Sequence, residues 1–154
     1  QIQEFTYLTL SLDQPTTPLI RKPLSQAYWE RCDPHYVDGA NAESFVQLMT
    51  RVRTALSQFQ QQSGFAIAFT HGLFIKAMLW HILAAPTVID AVAMRRFDGF
   101  RQGFQVPNAS ILKMEFEPGA IPYWSSFITN HLPPELHTVT PDTTVAIDAG
   151  DQPS

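Results

Sequence analysis

The sequence predicts an α/β domain, and three observations carry that expectation. Residues 41–85 run as an amphipathic helical pattern, a short apolar stretch and a second helical pattern, which is one arm of an α/β sandwich. Further on, "SILKMEFE" and "IPYWSSFIT" flank a Pro-Gly step, the pattern of a β-hairpin. The chain has 154 residues, 45% of them hydrophobic, which suits one domain with a real core.

Each element can be justified in order. "IQEFTYLTLSL" alternates loosely and reads as an extended leading segment. "DQPTTPLIRKP" carries three prolines and reads as loop, and "LSQAYWERC" as a short helix with Ser25 near its start. "DPHYVDGAN" is turn chemistry. The long helix follows, with Phe45, Leu48, Met49, Val52, Leu56 and Phe59 gathered on one face at spacings of three and four. Asn41 is its expected N-cap. "GFAIAFT" is apolar on both faces, as in a buried parallel strand. The helical spacing resumes in "GLFIKAMLWHILAA", and Pro86 ends it. Residues 90–109 begin as helix and end as an irregular connection. Residues 138–154 are rich in Thr, Asp, Pro and Gly and read as a polar, mobile tail behind a domain of residues 1–137.

Composition narrows the function classes. Charged residues make up 16% and the net charge is -4, so no basic surplus points to nucleic acid. Cys32 is the one cysteine, which fits a reducing, cytoplasmic compartment and excludes a cysteine-based zinc cluster. The apolar stretch of residues 73–85 is interrupted by Lys76 and His81, and it falls short of the roughly 20 residues a membrane span needs.

His71 and Gly72 stand at the joint between the apolar strand and the next helix. In an open α/β sheet, ligands bind beyond the carboxyl ends of the strands. The first helical turn offers unpaired amides and partial positive charge, and a glycine lets an anion approach them closely. Equally, a strand-end histidine can bond a neighbouring loop and a glycine can simply turn the chain. Glu43 opens the long helix, where the dipole favours a carboxylate whatever its role. As a general acid it needs its proton held, and a bound phosphate dianion beside it favours the protonated form.

Three stretches in order, "GANAESF", "AIAFTHGLFIKAML" and "VPNASILKMEF", resemble the motifs of the histidine phosphatase superfamily, the phosphoglycerate-mutase-like fold. "IQEFTYL" and "YWERCDP" are similar to segments of its bacterial phosphatase branch. The resemblance runs from about Ile2 to about His131. It implies a three-layer α/β/α sandwich and a phosphomonoester hydrolase that forms a phosphohistidine, acting on a small phosphorylated metabolite. Glu43 matches the proton donor, and the short loop before it favours phosphatase over mutase. His71 matches the second pocket histidine and Gly72 the position whose amide faces the phosphate. Asn108 matches an asparagine near the site, or is a turn residue after Pro107; Arg31 is a substrate contact or a solvated arginine. Phe5, Tyr28, Trp29 and Phe100 line the pocket mouth or belong to the core.

The resemblance implies no metal and no other cofactor, with fixed positive groups in their place. Its expected partners are a small phosphorylated substrate or inorganic phosphate, not nucleic acid and not a membrane. One departure is large. The family's nucleophile sits in an Arg-His-Gly at the end of the first strand, and this chain contains no Arg-His pair. The chain therefore reads as the downstream part of the domain, incomplete at its N-terminus and inactive alone. The rival reading is a non-catalytic remnant of the same fold that binds phosphate ligands or interaction partners without turning them over. If the first strand is missing, its neighbour loses ladder partners, and another copy or a rearrangement is expected to cover the edges.

Overall fold

Ser44 sets the longest helix. Its Oγ accepts from the Gln47 amide at 3.2 Å while Gln47 Oε1 accepts from the Ser44 amide at 2.7 Å, a reciprocal capping box worth about 1 kcal/mol. The computed structural model, which describes residues 2–9 and 17–136, therefore starts this helix at Phe45, and the cap is Ser44, not Asn41. The expected tail, residues 138–154, lies outside the described residues.

Four helices come first: α1 (Pro18–Arg31), α2 (Phe45–Gln61), α3 (Gly72–Ala84) and α4 (Ala91–Gly103). A hairpin, β1 (Ile111–Glu115) and β2 (Tyr123–Ile128), and a short 3-10 turn, Pro134–Leu136, complete the described part. α1 begins earlier than expected. Pro18 lies in its first turn, where a missing N–H costs nothing, so a proline read as a loop signal starts the helix instead. Pro23 sits inside it. The helix ends on Cys32 in left-handed conformation (φ 54°), and the Cys32 thiol donates to the Ala91 carbonyl at 3.1 Å, tying α1 to α4. α4 is capped by Asp90, which accepts from the Ala93 amide at 2.8 Å.

The core is aromatic. The Phe97 ring lies 5.3 Å from Phe45, 5.5 Å from Trp80 and 5.9 Å from Trp29, so one residue of α4 touches all three other helices. Leu48, Met49 and Val52 of α2 and Phe74, Ala77 and Met78 of α3 extend this cluster. Phe5 and Leu8 of the leading segment complete one side, and Phe5, Tyr28 and Trp29 are thus core, not pocket mouth. Lys76 Nζ donates to the Arg101 carbonyl at 2.8 Å, a further tie between α3 and α4.

The strands pair antiparallel, and the turn at Pro118-Gly119 has Gly119 at φ 76°, the left-handed position a type II turn requires. Phe116 meets Phe59 at 5.9 Å and Phe127 meets Phe104 at 6.0 Å, which fasten the hairpin to the helices. Helices and strands share one chain, so the α/β class holds. Among the described residues, however, the hairpin is the sheet, and no central parallel sheet forms. "GFAIAFT" is not a buried strand. Residues 65–70 form neither helix nor strand and have no ladder partner, and Phe65, Ile67 and Phe69 are 89%, 70% and 88% exposed. A strand needs a neighbour to bond its backbone, and no described strand lies beside this one.

Candidate active site

The leading segment brings the first carboxylate. Its backbone is held at three carbonyls: Ile2 accepts from the Thr70 hydroxyl, Gln3 from Arg51 Nη1 at 3.2 Å and Thr6 from the Glu43 amide at 2.8 Å. Phe5 is buried between these anchors and aims the neighbouring Glu4 outward. One Glu4 oxygen accepts from the Phe5 amide at 2.9 Å, and the other lies 3.9 Å from Nδ1 of His71.

His71 is the N-cap of α3, with extended backbone and a side chain that makes no cap bond. Its carbonyl accepts from the Ile75 amide at 3.0 Å, so the helix is anchored while the imidazole stays available. The first amides of α3 have no acceptor within the helix, and the helix dipole adds partial positive charge there. Gly72 follows, and a Cβ on it would come within 3.9 Å of Val106, so the loop carrying Asn108 packs beside this turn. Asn108 itself is exposed, in a turn where Ser110 donates through its amide and its hydroxyl to the Pro107 carbonyl.

Glu43 stands one residue ahead of the cap of α2. Both its oxygens accept from the guanidinium of Arg51, through Nε at 2.9 Å and through Nη2. Arg51 also lies over the face of Phe74, 5.3 Å from its centroid. The negative charge of Glu43 reaches inward as well: burial first, and then Glu43, pushes the Tyr28 hydroxyl pKa up. No hydrogen bond or ion pair joins Glu43 to His71; the carboxylate facing His71 is that of Glu4. Sequence pattern does not single out Glu4: "IQEFTYL" signals an extended segment, and a lone acid within it carries no motif of its own.

Arg31 ends α1, stacks on Tyr36 at 4.0 Å and lines a cavity of about 210 Å³ with Leu8, Tyr28 and Asp38, with no contact to Glu43 or His71. A larger cavity of about 640 Å³, lined by Arg53, His81 and Ile121 among others, lies toward the C-terminal end of α3. Neither cavity includes His71 or Glu43; the Glu4–His71 pair is an open surface site, its side chains 46% and 56% exposed. The remaining described histidines are elsewhere: His131 bonds the Ala109 carbonyl, His35 sits beside Asp33, and His81 is near the end of α3. Among the described residues no cluster of three or more His, Cys, Asp or Glu is placed to hold a metal ion, and no helix is long and apolar enough to cross a membrane.

The arrangement can present an imidazole, an acidic group and helix amides to one anionic ligand. A family model described as histidine phosphatase superfamily (branch 1) matches residues 11–124, most of the chain. The comparison with curated proteins found no match, and neither did the comparison with solved structures.

Proposed function

Because the chain belongs to the histidine phosphatase superfamily, branch 1, we propose that it carries the phosphate-holding half of a phosphomonoester hydrolase of the phosphohistidine type, acting on a small phosphorylated metabolite. Membership alone points to phosphatase- or mutase-type chemistry on small phosphorylated compounds. The observation that carries the finer reading is His71 at the head of α3, with a carboxylate 3.9 Å across from it and Gly72 beside it.

In this reading the His71 imidazole donates to one phosphoryl oxygen, and the Gly72 amide and helix dipole receive another. Val106, two residues before Asn108, borders the same turn. A carboxylic acid protonates the leaving alcohol. Glu43 and Glu4 are the two candidates for that step. The geometry favours Glu4, whose outer oxygen is turned to the site, while both oxygens of Glu43 are engaged by Arg51. Arg31 takes no part. The nucleophile itself is not among these residues: the sequence has no Arg-His pair, and no second described histidine meets His71.

This last observation favours a second reading, in which the chain as given binds phosphate ligands without turning them over. A cytoplasmic location fits the single, free cysteine. The test has two arms. Vanadate and inorganic phosphate should bind the 154-residue chain and be lost in His71→Ala. Turnover of p-nitrophenyl phosphate should be absent, and turnover that His71→Ala abolishes would show that the chain supplies a nucleophile of its own. Failure of both anions to bind would remove the site.

A further inference from the structure

We infer that Arg51 is a positioning residue: it clamps Glu43 and the Gln3 carbonyl in one guanidinium fork and thereby aims Glu4 at His71. The inference rests on the proposed role of the Glu4–His71 pair and adds a residue to it.

The argument is one of anchorage. Glu4 lies on a segment with no helical or strand structure, so its direction depends on what holds its neighbours. Two of the three carbonyl anchors on that segment run through the Arg51–Glu43 pair, and they bracket Glu4. Arg51 Nη1 holds Gln3 on one side at 3.2 Å, and the Glu43 amide holds Thr6 on the other at 2.8 Å. The pair is itself rigid. A fork engaging both oxygens of a carboxylate fixes two planar groups against each other, which a lysine in the same place cannot do. The cation also rests on Phe74, three residues after His71 on α3. One side chain of α2 thus touches the leading segment, the residue before the α2 cap and the first turn of α3, the three pieces of chain that meet at the site.

A merely structural ion pair predicts lost stability and nothing else. A positioning role predicts that His71 changes its surroundings although Arg51 does not touch it. The ring ¹H–¹⁵N signals of His71 in the full chain, without added anion, report this directly. Arg51→Met and Glu43→Gln should each move these signals toward the positions they take in Glu4→Gln, with a cooperative urea transition retained. Should Arg51→Met fail to fold, Glu43→Gln decides alone, since glutamine keeps an acceptor oxygen in place.

Vanadate affinity supplies a second readout whose sign separates position from charge. Both substitutions should weaken vanadate, by about tenfold, the scale of one charge-assisted hydrogen bond. An effect of charge alone would make Glu43→Gln bind more tightly, because it removes a negative group. Ring signals unmoved in both variants, or tighter vanadate binding by Glu43→Gln, overturns the inference. A wild-type chain that takes up no vanadate refutes the phosphate site, and the ring signals still decide the role of Arg51.

Discussion

Replacing Phe97 by alanine tests whether the aromatic cluster, with no central sheet beneath it among the described residues, holds the fold together. Phe97 is fully buried and touches Trp29, Phe45 and Trp80 with centroids 5.3–5.9 Å apart. Deleting a buried phenylalanine ring costs about 3–5 kcal/mol, as lost transfer energy plus a residual cavity. With three rings leaning on it the site cannot collapse inward without breaking other contacts, so the loss belongs in the upper half of that range. Domains of this size have about 5–15 kcal/mol of stability in all. A urea slope of about 2 kcal/mol per molar turns a loss of about 4 kcal/mol into a midpoint about 2 M lower. The fluorescence of Trp29 and Trp80 reports the transition, since both indoles face the deleted ring. Phe97→Leu, which keeps most of the volume, should lose less than half as much. A midpoint moved by under about 0.5 M in Phe97→Ala would refute the reasoning and shift the weight to contacts outside this cluster.

Three further outcomes follow from the same structure. Burial and the Glu43 charge raise the Tyr28 pKa above its ordinary 10.0, so the unfolded chain loses this proton first as pH rises. Stability should then fall above about pH 10 by up to about 1.4 kcal/mol per pH unit from this group, and Tyr28→Phe should flatten the slope in urea titrations. Burial, and secondly Arg53, lowers the His81 pKa below 6.5, so the unfolded state binds the extra proton and stability should decline as pH drops through 6.5; His81→Gln should lessen that decline. The bare run of residues 65–69 should drive self-association, seen as a concentration-dependent mass in light scattering that Ile67→Lys and Phe69→Lys reduce. A wild-type monomer at high micromolar concentration would count against this.

The helices were legible because their signals are local. The face of α2 read at a period of 3.6 is the buried face, from Phe45 through Leu56. Its cap is also legible in Ser44 and Gln47, which have capping-box spacing, whereas Asn41 meets only the residue-type preference of an N-cap. Pro18 and Pro23, which read as loop signals, lie within α1, because a proline in the first turn opens a helix as readily as it interrupts one. Residues 65–69 show what sequence pattern leaves out. Apolar character on both faces states what the segment needs, and not whether a neighbouring strand is there to supply it. His71 at the head of α3 was readable from Gly72 and the change of pattern. The approach of Glu4 to His71 was not, because it depends on Phe5 finding the core and on anchors from Thr70, Arg51 and Glu43.

The bare run between α2 and α3 has one more consequence. No described backbone hydrogen bond begins or ends in residues 65–69. Scission there would break the covalent thread and no described backbone hydrogen bond, leaving Leu48, Val52, Phe74 and Met78 together in one core cluster. The molecule is in effect two interlocking pieces on a tether, and fragments made separately on either side of that thread should reconstitute one another.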